Sequence, residues 1–238
     1  MKNTNFPRNF GFTLIEMAIV LTIVGLLIST LLLPLSKQRE MNNYSETKKI
    51  LEEIKEALIG YAVANGRLPC PDNDEDGVEE FAAGQCRGAN YEGTLPYRTL
   101  GVRKLDNWNN FYGYRVSQSF AETLSLSSSG DITVNGRGDN PNTVNVIETK
   151  FIASITTSAA AVIVSYGKNG YGAAPSMNVD ETTNATQGKV KLSRVHTDKS
   201  DGCSDTDESK SFCEFDDIID WVSPNVLFNR MVAAGKLP

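Results

Sequence analysis

From Phe12 to Leu35 the chain is mostly apolar, and Glu16 is the only charge in those 24 residues. The pattern then changes abruptly. Lys37, Arg39, Glu40, Glu46, Lys48, Lys49, Glu52, Glu53, Lys55 and Glu56 alternate in sign, while Tyr44, Leu51 and Leu58 recur seven apart with Ile54 and Tyr61 between them. That spacing predicts an amphipathic helix with one buried stripe, its charges forming a solvated face. Glu52 and Glu56 stand at pairing distance in sequence from Lys48, Lys49 and Lys55. Asn65-Gly66 followed by Pro69 is a helix stop. One long helix is therefore predicted from about Phe12 to about Asn65.

Beyond residue 66 the helical period fades. Strands are predicted at 111–117, 131–134, 143–150, 159–166 and 189–195, separated by turn-rich pieces such as Gly167-Lys168-Asn169-Gly170. Ser223-Pro224 reads as a cap followed by a first-turn proline, opening a short helix closed by Gly235. The predicted class is α+β, a long helix packed on an antiparallel sheet with irregular loops.

Twenty-four helical residues span about 36 Å, enough for a bilayer core of about 30 Å. Ahead of the run sit Lys2 and Arg8 and no acid. By the positive-inside rule that short flank stays cytoplasmic and everything after Leu35 lies across the membrane. A secretory signal peptide has an apolar stretch of only about 7–15 residues with a small-residue junction after it. Here the run is longer and the small-residue junction, Gly11-Phe12, precedes it. A plain anchor leaves Glu16 unexplained, since a carboxylate in a membrane helix is costly and usually has a partner. The mean hydropathy of −0.26 looks soluble only because it averages this run with a polar remainder. The net charge of −6 makes nucleic acid a poor partner.

Gly11-Phe12-Thr13-Leu14-Ile15-Glu16, with its short basic leader, resembles the processing motif of type IV prepilins and type II secretion pseudopilins. The resemblance implies cleavage by a prepilin peptidase between Gly11 and Phe12 and N-methylation of Phe12. It implies the pilin fold, and assembly through the N-terminal helix with other pilin or pseudopilin subunits on an inner-membrane platform. It divides the chain into a cleaved leader (1–11), a transmembrane or filament-core helix (12–35), an amphipathic continuation (36–66) and a periplasmic or extracellular head (67–238). Loss of the leader takes the net charge from −6 to −8. The new amine on Phe12 can pair with Glu16 of the same or a neighbouring subunit, an interaction strengthened by low dielectric. Ala18, Thr22, Gly25 and Ser29 form a stripe of small residues that would let helices approach closely. The size of the head points to a minor subunit, placed in the bacterial inner membrane and then in a filament.

Four cysteines stand in two local pairs, Cys70/Cys86 and Cys203/Cys213. Across the membrane disulfides persist. Three connectivities are open, proximity favouring the two local pairs, with a zinc site as the alternative. Asp72-Asn73-Asp74-Glu75-Asp76-Gly77 matches the start of a calcium loop. The twelfth position is Ala83 and no second helix follows, so this is not an EF-hand. A looser calcium loop is expected to use Asp72, Asp74, Asp76 and Glu80, no cofactor being required otherwise. A weaker acidic loop holds Asp201, Asp205, Asp207 and Glu208.

Three further stretches resemble a group of large-headed pilin-like proteins: Arg67–Asp72, Gly93–Gly101 and Asp106–Phe111. So do Ser165–Gly170 and Phe215–Ile218. Trp108 and Trp221 are expected in the core. No phosphate-cradling or nucleophile-elbow motif occurs, and His196 is the only histidine. The reading is a structural subunit and not an enzyme. A membrane-anchored periplasmic protein that binds calcium or glycan without assembling is the alternative.

Overall fold

The computed structural model describes residues 13–137, 152–170, 179–185, 188–193 and 215–237, without the side chains of 29–35, 136–137, 152–154 and 179–180. It divides into two units, Met1–Asn43 and Tyr44–Pro238. The first unit contains the start of helix α1, which runs Leu14–Asn65. The predicted helix is thus present, and it ends where Gly66 takes φ +77° and donates its N–H to Ala62 O at 2.8 Å.

The second unit continues with strands β1 (Phe81–Ala82), β2 (Gln85–Cys86) and β3 (Glu92–Thr94), helix α2 (Tyr97–Leu100), β4 (Gly113–Val116) and helix α3 (Gln118–Ala121). Then come β5 (Ile132–Arg137), β6 (Ile152–Ala159), β7 (Ala161–Ser165), helix α4 (Val179–Ala185), β8 (Val190–Leu192), β9 (Ile218–Val222) and helix α5 (Pro224–Ala233). A four-stranded antiparallel sheet has the order β3-β4-β7-β9, and a three-stranded sheet the order β6-β5-β8. Strands β1 and β2 form a small hairpin.

Strand β7 explains the layering. Its side chains alternate between faces, and all five residues are buried. Ala161 and Ile163 join the cluster built on Leu51, Ile54, Leu58 and Ala62 of α1. Val162 and Val164 pack instead with Ile132 and Val134 of β5. A strand covered on both faces needs a continuous apolar run, which Ala-Val-Ile-Val supplies. Each buried Leu or Ile contributes roughly 1.5–3 kcal/mol.

Several expectations change. Strand β8 pairs parallel to β5, so the head is not wholly antiparallel. The chain between them is long enough for the crossover that parallel strands need. Strands β6 and β9 were not predicted as such: β6 reads as a polar Ser/Thr run, and β9 alternates Asp220 and Trp221 at a half-buried edge. Tyr44 leaves the helix stripe and is 45% exposed, with Lys48 Nζ over its ring at 4.5 Å. Lys55 turns from its helix neighbours to Asp220 on β9, at 2.9 Å. Trp108 and Trp221 are half-buried against the two apolar clusters. The predicted strand 143–150 lies outside the described residues.

Candidate functional site

At the head of α1 the sequence Thr13-Leu14-Ile15-Glu16 closes on itself. Thr13 N–H donates to Glu16 Oε2 at 3.0 Å, and Thr13 Oγ1 donates to the same oxygen at 2.9 Å. In return Glu16 N–H donates to Thr13 Oγ1 at 3.3 Å. This is a reciprocal capping box, which satisfies N–H groups that a helix start otherwise leaves open. Sequence reading cast Glu16 as an assembly residue only; the T-x-x-E spacing carried this second role and was overlooked. The carboxylate sits within the first turn, where the helix dipole favours a negative charge.

Along the following turns the apolar side chains are exposed, Leu14 at 93%, Leu21 at 66% and Leu26 at 64%. An apolar surface of this extent marks an interaction site. Ala18, Thr22 and Gly25 are exposed too. Thr22 Oγ1 donates back to Ala18 O at 2.7 Å, and space for a Cβ at Gly25 is open. Gly11, Phe12 and the Ser29 side chain lie outside the described residues. Among the described residues no helix is long and apolar enough to cross a membrane.

Residues 7–32 match the family model for the prokaryotic N-terminal methylation motif. The chain carries a prepilin-type N-terminus. This match brackets Gly11, Phe12 and Glu16. No curated protein and no solved structure matches the chain.

In the head, Cys70 and Cys86 form a disulfide that closes a loop of sequence separation 16. The zinc alternative is thereby excluded for this pair; Cys203 and Cys213 lie outside the described residues, as does the second acidic loop. Arg67 grips the loop's Glu79 with two hydrogen bonds of 2.8 and 2.9 Å. Glu79 also accepts from Tyr61 Oη and, at 3.0 Å, from Cys70 N–H. Burial by itself would raise the Glu79 carboxyl; the bonds from Arg67, Tyr61 and Cys70 outweigh it and hold it below the usual carboxylate range.

Asp72 is fully buried and organises the acidic loop. Its Oδ1 accepts from Asp74 and Glu75 N–H at 3.2 and 2.8 Å, and its Oδ2 from Gly77 N–H at 2.7 Å. Gly77, at φ +85°, is required: a Cβ there would stand 2.5 Å from Tyr97 Cζ. The fold brings carboxylate oxygens of Asp72, Asp74 and Asp76 within 4.8 Å of one another. Glu80 is not in that group; its Oε2 accepts from Asn73 Nδ2 at 3.3 Å.

The stretches separated in sequence meet here. Asp72 pairs with Thr94 across a bridge, N–H to O at 3.0 and 2.9 Å. Buried Asp106 accepts from Trp108 and Asn110 N–H and, at 2.7 Å, from Ser165 Oγ. Asn110 Nδ2 donates to Gly167 O at 2.6 Å, and Asn169 N–H donates to Asp216 Oδ2 at 2.8 Å. Gly167, at φ +56°, is held to glycine by Asp216, whose Cγ would lie 2.5 Å from a Cβ. Sequence reading missed Glu181 on α4, which joins Asp216 and Asp217 in a second carboxylate group within 4.8 Å, a donor set that suits a hard cation. Burial foremost, with Asp216 beside it, pushes the Glu181 carboxyl up to about 8 against hydrogen bonds from Asn169 and Asp216 N–H. Nothing in the polar Val179–Ala185 segment marked it. Also missed were Glu92, Arg115 and Lys191: Glu92 accepts from Arg115 at 2.7 Å and from the buried Lys191 at 2.5 Å. A lysine in a short apolar alternation was the available signal.

Between these turns lies a cavity of about 570 Å³, lined among others by Asp72, Glu75, Asn109, Asn110, Phe111 and Tyr166.

Proposed function

We propose that the chain is a structural subunit, a minor pilin or pseudopilin, of a type IV pilus-like or type II secretion filament. Prepilin peptidase removes Met1–Gly11 and methylates Phe12. The Phe12–Leu35 helix holds the subunit in the inner-membrane bilayer, its head in the periplasm, until the assembly platform passes it into the filament beside other subunits. The match over residues 7–32 carries this reading. The exposed apolar side chains from Leu14 to Ile28 support it, since a helix with such a surface needs lipid or other helices around it. In assembly, Glu16 exchanges its Thr13 bonds for the amine of Phe12, and Ala18, Thr22, Gly25 and Ser29 form the close-packing stripe. Asp72, Asp74 and Asp76 form a calcium loop in this proposal, and Glu80 joins it only by giving up its hydrogen bond from Asn73.

Mass spectrometry of the native protein tests the processing. The expected product begins at methylated Phe12; an intact leader in cells with active prepilin peptidase would favour a membrane-anchored binding protein that does not assemble. Glu16→Ala separates the two steps. Cleavage is expected to persist while the subunit disappears from sheared filaments, and undiminished incorporation would remove Glu16 from the assembly mechanism.

A further inference from the structure

The head cavity has an unusual division of its polar groups. Most are already satisfied. Asp72 accepts three backbone N–H groups, and Asn73 bonds Glu80 and Asn90. Glu92 accepts from Arg115, Lys191 and Gly188 N–H. Three side chains on the lining are left without a hydrogen bond to the described protein: the Glu75 carboxylate, the Asn109 amide and the Tyr166 hydroxyl. They offer both acceptors and donors to a bound molecule.

Backbone geometry sets two of them apart again. Glu75 and Asn109 have φ of +63° and +69°, in the left-handed region that non-glycine residues seldom occupy. Such conformations gather at ligand sites, where the surrounding structure imposes them. Here Asp72 Oδ1 holds the Glu75 N–H, and Asp106 O accepts from the Asn109 N–H at 3.2 Å. Tyr166 is placed by a different device. Gly113 lies under its ring, and a Cβ there would come within 2.3 Å of the hydroxyl oxygen. The glycine leaves the room that lets this hydroxyl reach the cavity.

The chemistry of the lining selects the class of ligand. Among the described residues no lysine or arginine lines the cavity, while Asp72, Glu75 and Glu92 do. A phosphate, sulfate or carboxylate would therefore meet carboxylates on this lining. Phe111 adds an aromatic ring to the lining, with Lys104 Nζ 4.9 Å from its centroid. A carboxylate, an amide and a phenol beside an aromatic ring suit a molecule that is rich in hydroxyls and has an apolar ring face. The volume is in the range of small-molecule sites. We propose that this cavity binds a neutral saccharide, its hydroxyls on Glu75, Asn109 and Tyr166 and a ring face on Phe111. The site serves either a free sugar or the end of a surface glycan, and it stands independently of filament assembly.

Saturation-transfer NMR on the full-length chain in nanodiscs, free of glycoside detergents, tests this. The probes are D-glucose, D-galactose, D-mannose and N-acetyl-D-glucosamine, each free and as the terminal unit of an oligosaccharide, with N-acetylneuraminic acid as the anionic comparison. Transfer to at least one neutral sugar is expected. Tyr166→Phe and Asn109→Gly, the latter keeping the left-handed backbone, are each expected to weaken it about fivefold with an unchanged melting temperature. Tighter binding of the oligosaccharide assigns the site to a glycan, and equal binding to a free sugar; both uphold it. The proposal is overturned by no transfer from any neutral sugar, by equal affinity in both variants, or by the anionic sugar binding as well as the neutral ones.

Discussion

Removing the Cys70–Cys86 bridge has a consequence that can be worked out from the structure. The bridge spans a sequence separation of 16, and restricting a loop of that length in the unfolded chain stabilises by about 3 kcal/mol. In a unit of the size of Tyr44–Pro238, each kcal/mol moves the melting temperature by about 2–4 °C. The cross-link is therefore expected to be worth about 6–12 °C. Both cysteines are fully buried in the main apolar cluster, so Cys70→Ala with Cys86→Ala loses packing as well as the link. The two effects separate in a Cys203→Ala/Cys213→Ala background. There, melting with and without reductant changes only the bridge and leaves every other side chain in place. Circular dichroism at 222 nm follows the transition. Curves that coincide within about 2 °C would refute the loop argument and show that the Arg67–Glu79 grip and the Asp72 turns hold the loop by themselves.

Arg67→Met leaves Glu79 without its guanidinium in a nearly closed site, both side chains being under 15% exposed. Breaking such a pair costs roughly 3 kcal/mol in thermal unfolding, and adding Glu79→Gln is expected to recover part of it; no recovery would show that Arg67 acts through its packing on Phe81, over whose ring its guanidinium carbon lies at 3.5 Å. The Glu181 carboxyl, raised to about 8 in the folded chain, titrates near ~4.3 when unfolded. Between those values the native state holds the extra proton, so this contribution to stability is full at low pH and is lost as pH rises through the folded value. With chelator present, Glu181→Gln is expected to flatten the fall in melting temperature between pH 5 and 8.5, and an unchanged slope would contradict the assignment. Calcium titrated into the full-length chain is expected to release or absorb heat and to stabilise by about 2.7 kcal/mol at a hundred times its Kd. Asp74→Asn and Asp76→Asn should weaken that binding; the absence of both heat and thermal shift would remove the calcium loop.

Local pattern was enough to read α1, its stop at Gly66, the α+β class and the prepilin-type N-terminus, because each rests on neighbours in sequence. A helix period, a Gly-Pro stop and Gly11-Phe12 with Glu16 need no distant partner to be recognised. The Cys70–Cys86 pair was legible for the same reason, its loop being short. The same sequence also contained the capping box at Thr13 and Glu16, although the charge drew attention only as a membrane anomaly.

Tertiary structure decided what depends on faces meeting. Strand β7 is buried on both sides, yet periodicity alone cannot say which residues face α1 and which face β5. The parallel pairing of β8 with β5 joins segments more than fifty residues apart, a register that no local signal specifies. Glu181 became part of a carboxylate group only when the loop of Asn169 and the strand entry at Asp216 closed on it. Likewise Glu75, Asn109 and Tyr166 lie in three different turns, and only the packing of those turns around Gly113 puts their unsatisfied groups in one cavity. Sequence alone determined the prepilin-type motif over residues 7–32 and the long helix that follows from it. The carboxylate groups and the cavity of the head arise from side chains brought together across the fold, since burial and hydrogen bonding are set by neighbours in space.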